Sequence, residues 1–151
     1  MRKRDAFTID LFREYQPAPV VDRFDGELVK AWSLGGRLAK AIAICMEECG
    51  LSRDEIAAQM SEITKASISK TLLDAYASQA KEQNQISAVR LAALVAITGD
   101  ARPFNVLLAE AGLIVVPQKY EALLKRERAR ELRQQLEREE QAADAQWRAN
   151  R

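Results

Sequence analysis

Six glycines and four prolines are all that punctuate this chain, and their positions constrain the fold more than any other feature. After Pro117 the remaining 34 residues contain neither. They are dense in Glu, Arg, Gln and Ala, so nothing there breaks a helix and most residues favour one. Helical throughout, that segment would span roughly 50 Å at 1.5 Å per residue. Between Gly36 and Gly112 the breakers recur at Gly50, Gly99 and Pro103, which cuts the chain into short helical lengths. Before Gly26, Pro17 and Pro19 follow a small apolar cluster (Phe7, Ile9, Leu11, Phe12), a pattern that predicts an extended arm. The expected organisation is an N-terminal arm over 1–26, a helical domain over 27–116 and a long charged helix over 117–151.

Within the middle segment, apolar spacing assigns the helices. Leu28, Trp32, Leu38, Ile42 and Cys45 or Met46 recur at helical intervals. They predict a short helix before Gly35-Gly36 and a longer one over about 36–49, with Trp32 in the core and Gly50 as the C-terminal cap. Ser52-Arg53-Asp54-Glu55 has the S-x-x-E form of a capping box, so a helix starts at 53 and buries Ile56, Ala57 and Met60. Ser61 to Thr64 reads as a turn, and Thr64 or Lys65 opens the next helix, carrying Ile68, Leu72, Leu73 and Tyr76 on one face. Ser87 caps a fourth helix (Val89, Leu91, Leu94, Val95) that Gly99 ends. Asp100 and Pro103 start a fifth (Phe104, Leu107, Leu108, Ala111), ended by Gly112. With 48% hydrophobic residues the chain can fill a core, and the expected class is all-α.

Composition also removes chemistry. There is no histidine, so imidazole cannot serve as base or ligand, and the two cysteines, 45 and 49, lie one helical turn apart in an apolar run as packing residues. Glu47-Glu48 and Glu139-Glu140 are adjacent on helices and point about 100° apart, which prevents either pair from sharing a substrate. No glycine-rich phosphate loop, nucleophile elbow or metal spacing occurs. The expectation is a non-enzyme with no cofactor, metal or small-molecule substrate, and no stretch approaches the roughly 18 apolar residues of a membrane span. A cytoplasmic protein follows.

The segment from Arg53 to Lys70 (RDEIAAQMSEITKASISK) resembles a helix-turn-helix. Ala57 is the small residue where two helices cross, Ile56, Met60, Ile63 and Ile68 are apolar anchors, and short polar side chains mark the start of the second helix, as entry into a major groove about 12 Å wide requires. Ser61-Glu62 stands where a single glycine is common, lengthening the turn by one residue. One helix precedes the pair and two follow, similar to the five-helix repressor-type domain. The continuation through Thr98-Gly99-Asp100 to Gly112 also looks like helix-turn-helix regulatory proteins of temperate phages, both CII-like proteins and early-region regulators of Mu-like transposable phages. The resemblance covers roughly 50–115. It implies a phage or prophage transcription regulator that binds double-stranded DNA as an oligomer in the bacterial cytoplasm. Expected contacts are Ser67, Ser69, Lys70 and Thr71 toward base edges, with Arg53, Thr64 and Lys65 toward phosphate.

Charge distribution limits how DNA could be held. Net charge is +1, and residues 25–116 carry nine basic against eleven acidic groups, so that domain has no broad basic field. Pairing of two weak half-site contacts would compensate. Ala122, Lys125, Ala129, Leu132, Leu136, Glu139 and Ala143 follow the four-three alternation of a coiled-coil seam, in which only the two leucines are large and apolar. Leu132, Leu136 and Trp147 are therefore the candidate oligomerisation residues, for a dimer or tetramer; a solvated single helix with pairs such as Glu121 and Lys125 is the other reading of the tail. Arg2-Lys3-Arg4 could follow a minor groove or belong to a solvated terminus. Two rival functions are a DNA-packaging protein similar to small terminase subunits, marked by ring-sized assemblies, and a helical protein-protein adaptor, marked by no DNA affinity at low salt.

Overall fold

The computed structural model describes residues 19–80 and 84–150. Among these there is no strand, and the α-helices run α1 (Leu34–Glu48), α2 (Arg53–Thr64), α3 (Lys70–Tyr76), α4 (Ala88–Thr98), α5 (Arg102–Leu108) and α6 (Glu121–Ala149). Single 3-10 turns, Ala109–Ala111 and Gln118–Tyr120, extend α5 and introduce α6. The protein is all-α with a long C-terminal helix.

Local chemistry sets most boundaries. The Ser52 hydroxyl accepts from the Glu55 amide at 3.2 Å while the Glu55 carboxylate accepts from the Ser52 amide at 2.8 Å, the reciprocal capping box that starts α2. Ser87 caps α4, and Gly99 and Gly112 close α4 and the 3-10 turn with φ of 70° and 67°, where a Cβ would be strained.

The first helix departs from its expectation. Residues 26–29 form a turn and not a helix, and α1 begins at Leu34, so Gly35 and Gly36 lie inside its first turn. The Ser33 hydroxyl caps it by accepting from the Gly36 amide at 3.0 Å. A Cβ on Gly36 would come 3.1 Å from Ala31 Cβ and 3.2 Å from the capping oxygen. The glycine there permits close approach and does not break the helix. With no helix over 27–33, Trp32 is fully exposed instead of lying in the core, and Val29 is the buried residue of that turn. Val89, expected on the inner face of α4, is exposed as well.

One core joins the five short helices. Leu38, Ile42 and Met46 of α1 meet Ile56 and Met60 of α2, Leu73 and Tyr76 of α3, and Leu91 and Leu94 of α4. Burying each large aliphatic chain contributes about 1.5–3 kcal/mol. α2 packs on α4 and α3, and α1 on α5 and α3. Asn105 of α5 is buried with both ends of its amide used: Nδ2 donates to the Asp22 carbonyl at 2.9 Å and Oδ1 accepts from the Val115 amide at 2.7 Å. One side chain thus staples the segment entering the domain to the segment leaving it. Beside it the Arg102 guanidinium lies 4.1 Å from the Phe24 ring centroid.

Candidate nucleic-acid interface

The α2–α3 unit is built around the Ser61 hydroxyl. It donates to the Ala57 carbonyl at 2.7 Å, one turn back on α2, and accepts from the Ile68 amide at 2.9 Å across the connection. The Ile68 side chain is buried in the core, so the loop is held by one hydrogen bond and one apolar anchor. Thr64 turns its hydroxyl back onto the Met60 carbonyl at 2.8 Å. Both hydroxyls are turned onto the backbone of their own helix, α2 continues through Thr64, and Ser61 to Thr64 is its last turn, not the connection.

The second helix consequently starts later than its spacing suggests. Lys65 ends α2 in the left-handed region (φ 52°, ψ 29°), the one non-glycine residue with positive φ among those described. Residues 65–69 connect the helices, Ser69 caps α3 by accepting from the Leu72 amide at 3.2 Å, and α3 opens at Lys70. A side chain at positive φ costs of order 1–3 kcal/mol, so the fold holds Lys65 there against its preference.

This geometry divides the sequence-selected residues. Lys65, Ser67, Ser69, Lys70 and Thr71 are all exposed and follow one another along the connection and the first turn of α3. Ser67 lies in the connection and not on a helix, and Ser69 spends one lone pair on its cap. Arg53 and Thr64 are placed differently. Arg53 is partly buried with Nη1 at 3.0 Å from Asp74 Oδ1, a Coulombic pair without an aligned hydrogen bond, tying the start of α2 to α3. The Thr64 hydroxyl is committed to its own helix. Both act on the shape of the unit, and a quarter of the Arg53 side chain stays exposed. Glu62 and Asp74 are exposed acidic neighbours of the two lysines in sequence, with Asp74 offset by Arg53.

The candidate oligomerisation residues lie on α6, of which no residue is buried. Leu132, Leu136 and Trp147 are each more than half exposed. Ion pairs along the helix, Glu121 with Lys125 at 2.6 Å and Glu127 with Arg130 at 3.8 Å, decorate the solvated faces.

Sequence reading missed two positioning residues and one cavity. Ser61 was legible only as a substitute for glycine, although a hydroxyl one turn after a small residue is the signal for back-bonding. Asn105 carried no local signal, because its partners are Asp22 and Val115. The cavity, about 420 Å³, lies between the end of α1, the α4–α5 junction and the entering segment, walled by Cys45, Asp100 and Arg102. Burial pushes the Cys45 thiol up to about 12, and it sits 3.3 Å from the Thr98 hydroxyl, so it is a protonated packing group at neutral pH. Burial also raises the Asp100 carboxyl, but hydrogen bonds from the Arg102 side chain and amide more than reverse this and hold it below the usual carboxylate range. Arg102 also pairs with Glu48. Among the described residues no group of three or more His, Cys, Asp or Glu could hold a metal ion, and no helix is long and apolar enough to cross a membrane.

No family model, curated protein or solved structure matches the chain.

Proposed function

We propose that this protein is a sequence-specific DNA-binding transcription regulator of phage or prophage type that acts as a homo-oligomer. The observation that carries the reading is the α2–α3 unit: two packed helices with Ala57 buried in the first, a connection tied by Ser61 and Ile68, and exposed short or basic side chains between Lys65 and Thr71. Exposed hydroxyls on a rigid base can exchange hydrogen bonds with base edges, and the two lysines can meet phosphates on either side. Lys65, exposed and left-handed, stands at the end of α2 where the connection begins. Resemblance of residues 50–115 to phage regulators supports the phage assignment. A domain without a broad basic field binds DNA weakly alone, so two copies acting together are part of the reading.

The test is selection from a randomised duplex pool, followed by fluorescence anisotropy at two salt concentrations with a Lys65→Ala, Lys70→Ala double variant. Enrichment of a repeated or symmetric site is expected, and removing two phosphate-facing lysines should lower the salt slope by about 2. No binding by the intact chain at low salt would sink the reading and leave a protein-binding adaptor.

A further inference from the structure

Among the described residues the seam of α6 stays open. Leu132 and Leu136 are both 56% exposed, and Ala129, Ala143 and Ala122 lie on the same side of the helix at heptad spacing. Two observations point to what covers it. First, charge is divided along the helix. Residues 121–134 carry five basic and three acidic groups (+2), and residues 135–149 carry two basic and four acidic (−2). Second, the seam itself contains one charge of each sign, Lys125 near its start and Glu139 near its end.

We infer that α6 pairs with α6 of a second copy of this chain, antiparallel, with Leu132 of each copy against Leu136 of the other. This inference specifies the oligomer contained in the proposed function. A parallel, in-register pair would set Lys125 against Lys125 and Glu139 against Glu139 in the seam, and would flank it with Arg128 facing Arg133 twice. The antiparallel register avoids all of these. Counting outward from the leucines, Lys125 falls opposite Ala143 and Glu139 opposite Ala129, so each charged stem lies over a methyl group and its head reaches solvent. The basic half of each helix lies along the acidic half of the other, and Arg126 comes to flank Glu140 of the second copy on both sides of the axis. Arg126 rests at 3.0 Å on its neighbour Glu127, a contact that the new pair would replace or share. Trp147 arrives level with the start of the second copy's α6, beside its Tyr120. Arg133 meets its own copy near the axis, the one unfavourable flank of this arrangement.

The domain is attached at the N-terminal end of α6, so antiparallel pairing holds two α2–α3 units at opposite ends. The two Glu121 positions would be about 40 Å apart at 1.5 Å per residue, against about 34 Å for one turn of DNA.

The experiment is sedimentation equilibrium on the full chain without DNA, for the intact protein, Arg126→Glu, Glu140→Arg and the double reversal. Circular dichroism on each variant keeps folding separate from association. A dimer is expected, weakened about tenfold by either single reversal and restored by the double one. Within one chain these residues are 14 apart and about 21 Å distant along the helix, so restoration can arise only between copies. In a parallel pair Arg126 would face Glu121 and Glu140 would face Gln135, and the double variant would stay weak. A double variant no tighter than the singles, a monomeric intact chain or a ring larger than a dimer each overturn the inference. A monomer that still selects a duplex site would overturn it while leaving DNA recognition standing.

Discussion

The five-helix domain and α6 are both helical, yet opposite forces keep them so. α3 and α5 are seven residues each, far below the length at which a helix persists alone in water, and they exist because Leu73, Tyr76 and the Pro103–Asn105 face are buried by neighbours. α6 is 29 residues long, buries nothing and is carried by residue preference and by pairs such as Glu121 with Lys125. In the domain, helix is a consequence of packing; in α6 it precedes packing and leaves a face to be covered. The same kind of substitution should therefore act on different observables in the two regions.

The sharpest way to break this contrast is a pair of leucine truncations. Leu73→Ala, at a position with no solvent exposure, should lower unfolding free energy by about 2–5 kcal/mol in urea titration. Leu136→Ala should leave the domain transition within about 0.5 kcal/mol of the parent and act on self-association. Equal losses of domain stability from both would abolish the distinction.

A smaller effect tests whether the connection between α2 and α3 belongs to the packed region. Ser61→Ala leaves the buried Ile68 amide without its acceptor and should cost about 1–3 kcal/mol, with hydrogen exchange at Ile68 rising toward that of the exposed loop. Unchanged protection at Ile68 would mean that Ile68 burial alone holds the turn.

Capping supplies the next step down. Ser52→Ala should destabilise by about 1 kcal/mol. It should also alter the acid side of the stability profile. Hydrogen bonds from the Ser52 hydroxyl and amide hold the Glu55 carboxyl below its ordinary 4.5, so its contribution is complete above that value and disappears as pH falls through the lower folded value. The variant loses the hydroxyl and keeps the residue-52 amide, so that acid limb should shrink, which parallel titrations of stability against pH would detect.

The smallest change separates stability from recognition. Lys65→Gly relieves a left-handed side chain and should stabilise the domain by about 0.5–1 kcal/mol, while DNA binding weakens if the ammonium meets phosphate. A variant that gains stability and keeps full affinity would remove Lys65 from the interface.

Features decided within about four residues were legible from the chain alone. The Ser52–Glu55 box, the Ser87 cap, the ends at Gly50, Gly99 and Gly112, the helical class and the unbroken run of α6 all follow from local hydrogen bonds and φ preferences. The exposure of Lys65, Ser67, Ser69, Lys70 and Thr71 was legible from their polarity, but their assignment to the start of a helix was not, since residues 65–69 are the connection. Tertiary structure decided the rest. Whether α2 stops at Met60 or Thr64 depends on Ile68 reaching the core and on its amide meeting Ser61 seven residues back. Arg53 is set against Asp74, 21 positions along the chain, a pairing that no local signal announces. Val29 is buried and Trp32 exposed, which spacing alone does not order, and Gly35-Gly36 could equally break a helix or admit a close neighbour. Periodicity says which residues are able to be buried; which of them are buried depends on what the rest of the chain brings against them.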